Sequence, residues 1–508
     1  NVTLKTLNED LLFLHSGKPF SEADVESISS IGESTKKNDS EKTGYKGIGF
    51  KSVFSEAETV YINSGNFSFA FDKKSPVYSN EDDMDTIPWQ IKPIWEERYR
   101  LPKEVQKESQ FFSASVGIAL NVENQNILKY NKIITTLLSK PRFTLFLRNI
   151  GNIRFESTKG DVIEIQKSIN DNIVRVSSNE NTEDWIIKDY IIPIPEETQE
   201  ALQNEKLVPK KLKEATKTKI TFAAKFVDGK VVPVQDAVLF TYLPTKVNDF
   251  GFKFLVNADF LTTASRESIH FKNIWNRFLF GQIGALLVDW VKSLADYDGA
   301  LCLLPKDKYD GDNFLSLDFY NSFQKSASEL AFIKGQDGNL ITQDRIMIDK
   351  SGLSKIIGKD LFCSIIDSNR HLPYFDSDED TLKESKLYDS AYSVTTLTVL
   401  NAIYNNASFL NWFKDASEDS KDSFYDWLIN KDTEKSRGSI VRVCDNLPLY
   451  KFSDKYYFKN EIKATQIVVR KGHANLVPLY KAIGLDCSTN IDELPIAKFY
   501  SDKIVESS

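Results

Sequence analysis

HSGKPFSEADVESISSIGESTKKNDSEKTGYKGIGFKSVFS, residues 15–55, is the stretch on which the reading of the fold turns. It opens on a turn at His15–Pro19. Ser21 then precedes a helical run whose first turns carry Glu22, Asp24 and Glu26, where carboxylates suit the positive end of the helix dipole. A polar segment rich in Lys, Ser and Asp occupies 33–43, and glycines follow at 44, 47 and 49, with a helix expected after them. Glycine tolerates positive φ and lets a backbone approach an anion closely. A helix N-terminus adds unpaired N–H groups and a positive dipole end. Gly44, Tyr45, Lys46, Gly47, Ile48, Gly49 and Phe50 are therefore candidate phosphate binders through their backbone amides, and Lys46 can add charge. On spacing alone, the same glycines read equally as a tight turn before a buried helix. A dinucleotide-binding loop fits less well, because that loop follows a strand directly.

Outward from this stretch, residues 1–14 alternate like strands and contain the apolar run LLFL. TVYI and FSFAF flank Asn63-Ser64-Gly65-Asn66, the signature of a hairpin. Residues 76–110 are acidic and aromatic and read as an insertion with short helices. SASVGIALNV reads as a strand, a helix is expected near 125–139, and FTLFLRNI (143–150) is expected to be a strand closing a first domain. From 151 to 270 strands dominate: GNIRF, VIEIQ, IVRVS, WIIKDYIIPI, TKITFAAKF, AVLFTYLP and FKFLVNADF, with a charged helical break near 197–215. A helix over 274–295 ends this second region. Beyond 300, LAFIKGQDGNLITQD (330–344) and LPLYKFSDKYYFKNE (447–461) share an apolar strand, a Lys, an Asp-containing turn and a second strand; Lys334 and Asp337 match Lys451 and Asp454. Two copies predict two hairpins of one design, not a solenoid.

With 508 residues, roughly three to four domains are expected. A hydrophobic content of 41% and a charged content of 27% fit folded, soluble material rather than disorder. The net charge of −8 argues against broad binding to nucleic acid or an anionic membrane, while leaving a local basic groove open. The apolar stretch 278–291 is shorter than the roughly 20 residues a bilayer span needs, so no membrane partner is expected. Cys302, Cys363, Cys444 and Cys487 lie far apart and His15, His270, His371 and His473 form no cluster. These are expected to be unpaired thiols in a reducing, cytoplasmic setting, with no zinc site. The chain begins at Asn1 inside a strand-like run, which reads as part of something longer.

The turn SGKPF, the run SIGESTK and the loop GYKGIGFKSVF, in this order and spacing, resemble the nucleotide-binding core of the GHKL superfamily. Within it they look most like the sacsin-type branch, relatives of the ninety-kilodalton heat-shock chaperone. The resemblance implies an α+β fold. A GHKL-type α/β sandwich, with helices on one face of a mixed, largely antiparallel sheet, would occupy 1–150. An α+β transducer-like middle domain would occupy 151–300, and a mixed C-terminal region 301–508. It implies ATP as ligand, with Gly44, Gly47 and Gly49 at the phosphates and a mobile lid that includes Gly32, Ser34, Thr35 and Lys36. His15, Ser16 and Gly17 would meet the adenine, and Ser113 or Ser115 would supply a further nucleotide contact.

Two departures from the family matter. Where the family has an Asp that accepts the adenine amino hydrogen, this chain has His15, whose neutral ring could accept it instead. The family's helix with a catalytic Glu and a magnesium-binding Asn precedes the adenine motif; here only Glu9 and Asp10 stand nearby, in a strand pattern. That helix, and with it the Mg2+ ligand, is expected upstream or lost. VNADFLTTASRESIHF (256–271) resembles the chaperone's middle-domain segment, which implies that Arg266 reaches the γ-phosphate; a salt bridge to Glu267 or Asp259 is the alternative. The implied function is an ATP-binding, ATP-hydrolysing conformational machine with protein partners or clients. The alternatives are a catalytically degenerate nucleotide-sensing scaffold and a nucleic-acid clamp, the latter disfavoured by charge.

Overall fold

Period-two patterning builds most of the N-terminal half. The computed structural model describes residues 1–30, 50–78, 88–95, 100–122, 124–179, 181–205, 208–248, 250–263, 267–307, 311–385, 392–448, 450–452, 455–458, 461, 463, 465–467 and 476–487. The chain divides into two units, Asn1–Gly284 with Asp310–Asn321 and Ala285–Tyr309 with Ser322–Ser508.

The first unit contains a mixed sheet of fifteen strands among the described residues. They are β1 Val2–Thr6, β2 Asp10–His15, β3 Thr59–Ser64, β4 Phe67–Asp72, β5 Ile94–Trp95, β6 Val116–Asn121, β7 Asn152–Glu156 and β8 Val162–Asn170. The series continues with β9 Ile173–Ser178, β10 Thr182–Pro193, β11 Lys217–Val227, β12 Lys230–Val232, β13 Leu239–Thr241, β14 Leu243–Pro244 and β15 Leu255–Asn257. Their order is β14-β13-β15-β11-β10-β9-β8-β7-β1-β2-β6-β3-β4-β5, with β12 beside β11. Pairing is antiparallel except at β1–β7 and β13–β15. The β1–β7 pair, Val2↔Ile153 to Lys5↔Glu156, carries the sheet across the boundary expected near 150.

Alternation sorts side chains to the two faces. In β2, Leu12 and Leu14 join one cluster with Val105, Phe111 and Ala119, whereas Leu11 and Phe13 pack with Phe155, Val176 and Trp185. Val60 and Ile62 of β3 pack with Phe69, Phe71 and Trp89. Short helices Lys103–Lys107 and Ser109–Ser113 bury Val105 and Phe111 on the Leu12 side. Phe20, Val25, Ile28 and Phe54 pack with the Val60 cluster. Helical segments therefore cover both faces of this part of the sheet, where the resemblance implied one.

The segment 143–150 is not a strand. Pro141–Thr144 is a 3-10 helix that ends in turns, with Phe143, Leu145 and Phe146 buried beneath it. Its carbonyls find a distant partner: the half-buried Lys167 ammonium donates to Thr144 O at 3.2 Å and to Leu147 O. Pro141 stands in the first turn of that helix, where its missing N–H breaks no helix hydrogen bond. AVLFTYLP is also broken, because Tyr242 adopts φ 67° between β13 and β14. Elsewhere the expected elements form: Asn124–Leu138, Glu196–Gln203, Lys210–Lys213 and Ile274–Ser293 are helices.

The second unit is mainly helical. Met347, Leu353, Phe362, Val399, Phe409, Phe424 and Trp427 form its core, with contributions from helices Lys359–Ile366, Thr396–Ile403, Ala407–Asp415 and Glu418–Asn430. Both repeat segments are hairpins, Ile333–Lys334 with Leu340–Ile341 and Tyr450–Phe452 with Lys455–Tyr457. Their connections differ: the first spans 335–339, the second only 453–454, so one design does not serve both. Lys334 pairs with Asp296 at 2.7 Å and lies over the Tyr374 ring, while Asp337 accepts from the Asn339 backbone at 3.1 Å. Asp454 lies outside the described residues.

The four cysteines form no disulfide, and three of them are buried. Among the described residues no helix is long and apolar enough to cross a membrane.

Candidate functional site

Antiparallel pairing brings several of the sequence candidates to one end of the sheet. β2 finishes at His15, opposite Val116 at the start of β6. β3 runs antiparallel to β6, so its last residue, Ser64, arrives at the same end before the chain turns into β4. Ser64 ties this end together. It is buried, its Oγ donates to the Ser115 carbonyl at 2.9 Å, and it accepts from the Phe20 N–H at 2.8 Å. Gly65 has φ +57°, and a Cβ there would stand 3.3 Å from Pro19, so the hairpin turn and the SGKPF turn fit directly against each other. Sequence reasoning did not single out Ser64. The available signal was a polar residue in phase with buried Val60 and Ile62.

His15 uses Nδ1 to accept the Gly17 N–H at 3.0 Å. A Cβ on Gly17 would lie 2.9 Å from that nitrogen, so a larger residue here would displace the His15 ring. With Nδ1 accepting, the neutral imidazole carries its hydrogen on Nε2 and offers a donor, where an acceptor was expected. Burial holds the His15 pKa below its ordinary value and favours this neutral form. Ser16 extends the β1–β2 ladder through its N–H to Asn1 O at 3.2 Å. Ser113 is exposed and its Oγ turns back to Gln110 O at 3.4 Å. Ser115 is half-buried, with its carbonyl engaged by Ser64.

From this end the helix Glu22–Ile28 leads to the last residue of the glycine loop. Ser21 and Asp24 form a reciprocal cap: the Ser21 Oγ accepts the Asp24 N–H at 3.3 Å and Asp24 Oδ2 accepts the Ser21 N–H at 3.0 Å. At the far end, Lys51 donates to Ile28 O at 2.7 Å and to Gln90 O at 3.0 Å. Seven helical residues cover about 10 Å. The His15 turn and the Phe50–Ser55 segment thus stand at opposite ends of one short helix. Phe50 opens that segment, a 3-10 helix rather than a regular one, and packs 5.7 Å from Phe54 and 6.1 Å from Phe71. Gly44, Tyr45, Lys46, Gly47, Ile48 and Gly49 lie outside the described residues, as do Gly32, Ser34, Thr35 and Lys36.

Arg266 also lies outside them, but its described flanks are firmly tied. Thr262 bridges Ile269, and the Thr263 N–H donates to Ser268 O at 2.9 Å. Lys246 donates its backbone N–H to Glu267 O at 3.1 Å and pairs with the Glu267 carboxylate. Glu9 and Asp10 stand at the opposite end of β2 from His15, about 17 Å away along the strand. Asp10 is buried and accepts from Asn121 Nδ2 at 3.0 Å. Among the described residues no group of three or more His, Cys, Asp or Glu could hold a metal ion.

Residues 2–127 match the family model of the Sacsin domain. The match takes in β1 to β6 and the capped helix, the part of the chain just assembled around Ser64. The chain is also similar to Protein NO VEIN of Arabidopsis thaliana, with 26% identity over 298 residues. That alignment covers 54% of this chain and 10% of the plant protein, so the chain spans about a tenth of that relative's length. The two similarities support a sacsin-type family.

Proposed function

We propose that the sacsin-type segment binds ATP, with the base near the His15–Gly17 turn and the phosphates at the backbone amides of Gly44–Phe50. The observation that carries this reading is the placement of the His15 turn and Phe50 at the two ends of the Glu22–Ile28 helix, joined through Ser64 at one end and Lys51 at the other. In this reading His15 Nε2–H donates to a ring nitrogen of the base, while the Gly17 N–H occupies Nδ1 and the absent Cβ leaves the ring in place. The glycine loop offers amides to the phosphates, which are worth most where water is displaced. Arg266 pairs with the terminal phosphate and so couples nucleotide to a change of conformation, as in a chaperone-like machine. A Mg2+ that accompanies the nucleotide would take one or two protein oxygens besides the phosphates, and among the described residues no group of three or more His, Cys, Asp or Glu could hold a metal ion alone.

The position of Glu9 and Asp10 favours a second reading, a nucleotide-sensing scaffold that binds protein partners without hydrolysis. Calorimetry on the 508-residue chain with a non-hydrolysable ATP analogue tests the shared first step. Saturable heat that disappears in Gly47→Asp supports nucleotide binding; no heat at millimolar analogue overturns it. Phosphate release that is lost in Arg266→Ala then selects the ATPase, and binding without release selects the scaffold.

A further inference from the structure

Lys51 directly follows the glycine loop, where a phosphate-binding lysine would be an obvious assignment. Its geometry points inward instead. The ammonium donates to Ile28 O and Gln90 O and lies 5.9 Å from the centre of the Phe54 ring and 6.0 Å from that of Phe71. Among the described residues it forms no ion pair. Ile28 O is one of the terminal helix carbonyls that lack an intrahelical partner, and an ammonium is the group that best satisfies it. One side chain therefore joins three segments distant in sequence: the end of the Glu22–Ile28 helix, the Trp89–Ile91 turn and the Phe50–Ser55 turn.

We propose that Lys51 is a positioning residue of the nucleotide site and not a phosphate ligand. It fixes the end of the Glu22–Ile28 helix against the Phe50–Ser55 turn, so that Phe50 leaves from a set anchor. This rests on the nucleotide-binding reading above. Among the described residues Phe54, Phe71 and the two carbonyls surround the charge and no carboxylate shares it, so a neutral apolar side chain of similar length removes the tie without freeing a described partner ion.

The experiment compares wild type, Lys51→Met and Lys51→Arg in the 508-residue chain. Amide hydrogen exchange of peptides covering Glu22–Ile28 is measured without nucleotide, and affinity for a non-hydrolysable ATP analogue is measured by calorimetry. Lys51→Met is expected to raise exchange and Kd each by about tenfold, the scale of one lost charge-assisted hydrogen bond. Lys51→Arg, which keeps charged donors, is expected to return exchange toward the wild-type level. Lost affinity with unchanged exchange in the nucleotide-free protein would make Lys51 a direct ligand and overturn the proposal, as would no change in either quantity. Raised exchange in Lys51→Met alongside a wild type that binds no nucleotide would retain the anchor and remove the nucleotide reading. Circular dichroism of Lys51→Arg and Lys51→Met separates these outcomes from global unfolding.

Discussion

Asn276 grips Leu261 through both sides of its amide: Oδ1 accepts the Leu261 N–H at 2.8 Å, and Nδ2 donates to the Leu261 carbonyl at 2.9 Å. The same Nδ2 reaches His270 O at 3.0 Å, so one fully buried side chain closes both ends of the 261–270 arc that carries Arg266. Removing it strands the buried Leu261 N–H and takes one donor each from Leu261 O, which keeps the His270 N–H at 3.0 Å, and from His270 O. Asn276→Ala is expected to cost about 3 kcal/mol in urea unfolding, from one unmet N–H, two lost bonds to carbonyls and a small void. A loss under about 1 kcal/mol would show that the arc is held elsewhere.

Tyr242 is held in the left-handed region by Asn257, whose Oδ1 accepts the Tyr242 N–H at 2.6 Å. An aromatic residue with φ 67° is strained, and alanine would retain that strain while losing the ring's contact with Arg148. Tyr242→Gly is therefore expected to be more stable than Tyr242→Ala by about 1 kcal/mol, the reverse of the order in ordinary backbone. Equal melting temperatures for the two variants would contradict the assignment.

Gly17 and His15 form a single device. Proton NMR titration is expected to place His15 below 6.5, because burial disfavours the imidazolium. The folded state then binds fewer protons than the unfolded chain, so this group's contribution to stability falls as pH drops through 6.5 toward the folded pKa. In Gly17→Ala the added methyl group must push the ring out, and the titration is expected to move back toward 6.5. An unmoved titration would mean that the ring and the turn are not coupled.

Asp378 supplies a second pH dependence, of opposite sense. Burial pushes its carboxyl up to about 7, against the help of the Leu301 N–H at 3.2 Å; Asp298 raises it further and Lys359 opposes. The folded state holds the proton over a window where the unfolded chain has released it, so stability is lost as pH rises from about 4 through 7. Asp378→Asn is expected to flatten this slope and to stabilise the protein at pH 8 by up to about 4 kcal/mol. A wild-type stability that does not fall over this window would refute it.

Several elements around the N-terminal candidate site were legible because their signals are local. The alternation of DLLFLH, the Ser21 cap with its carboxylate three residues on, and the Asn63-Ser64-Gly65-Asn66 hairpin, which turns at Gly65-Asn66, each depend on residues within a few positions of one another. The two similar C-terminal segments likewise became hairpins, although their connections took different lengths.

What the sequence determined by itself was periodicity, capping and turn chemistry, since those energies are settled within one or two turns of chain. Partners from far away decided the rest. Lys167 supplied a donor to the carbonyls of 144 and 147, in a segment that lies outside the sheet; Asn257 accepts the N–H at the break at Tyr242; Lys51 faced inward to Ile28. Ser64 became the tie between two loops only once β3 and β6 were side by side. A buried N–H, carbonyl or ammonium must find a partner somewhere, and where that partner sits is fixed by tertiary packing, which no short window of sequence contains.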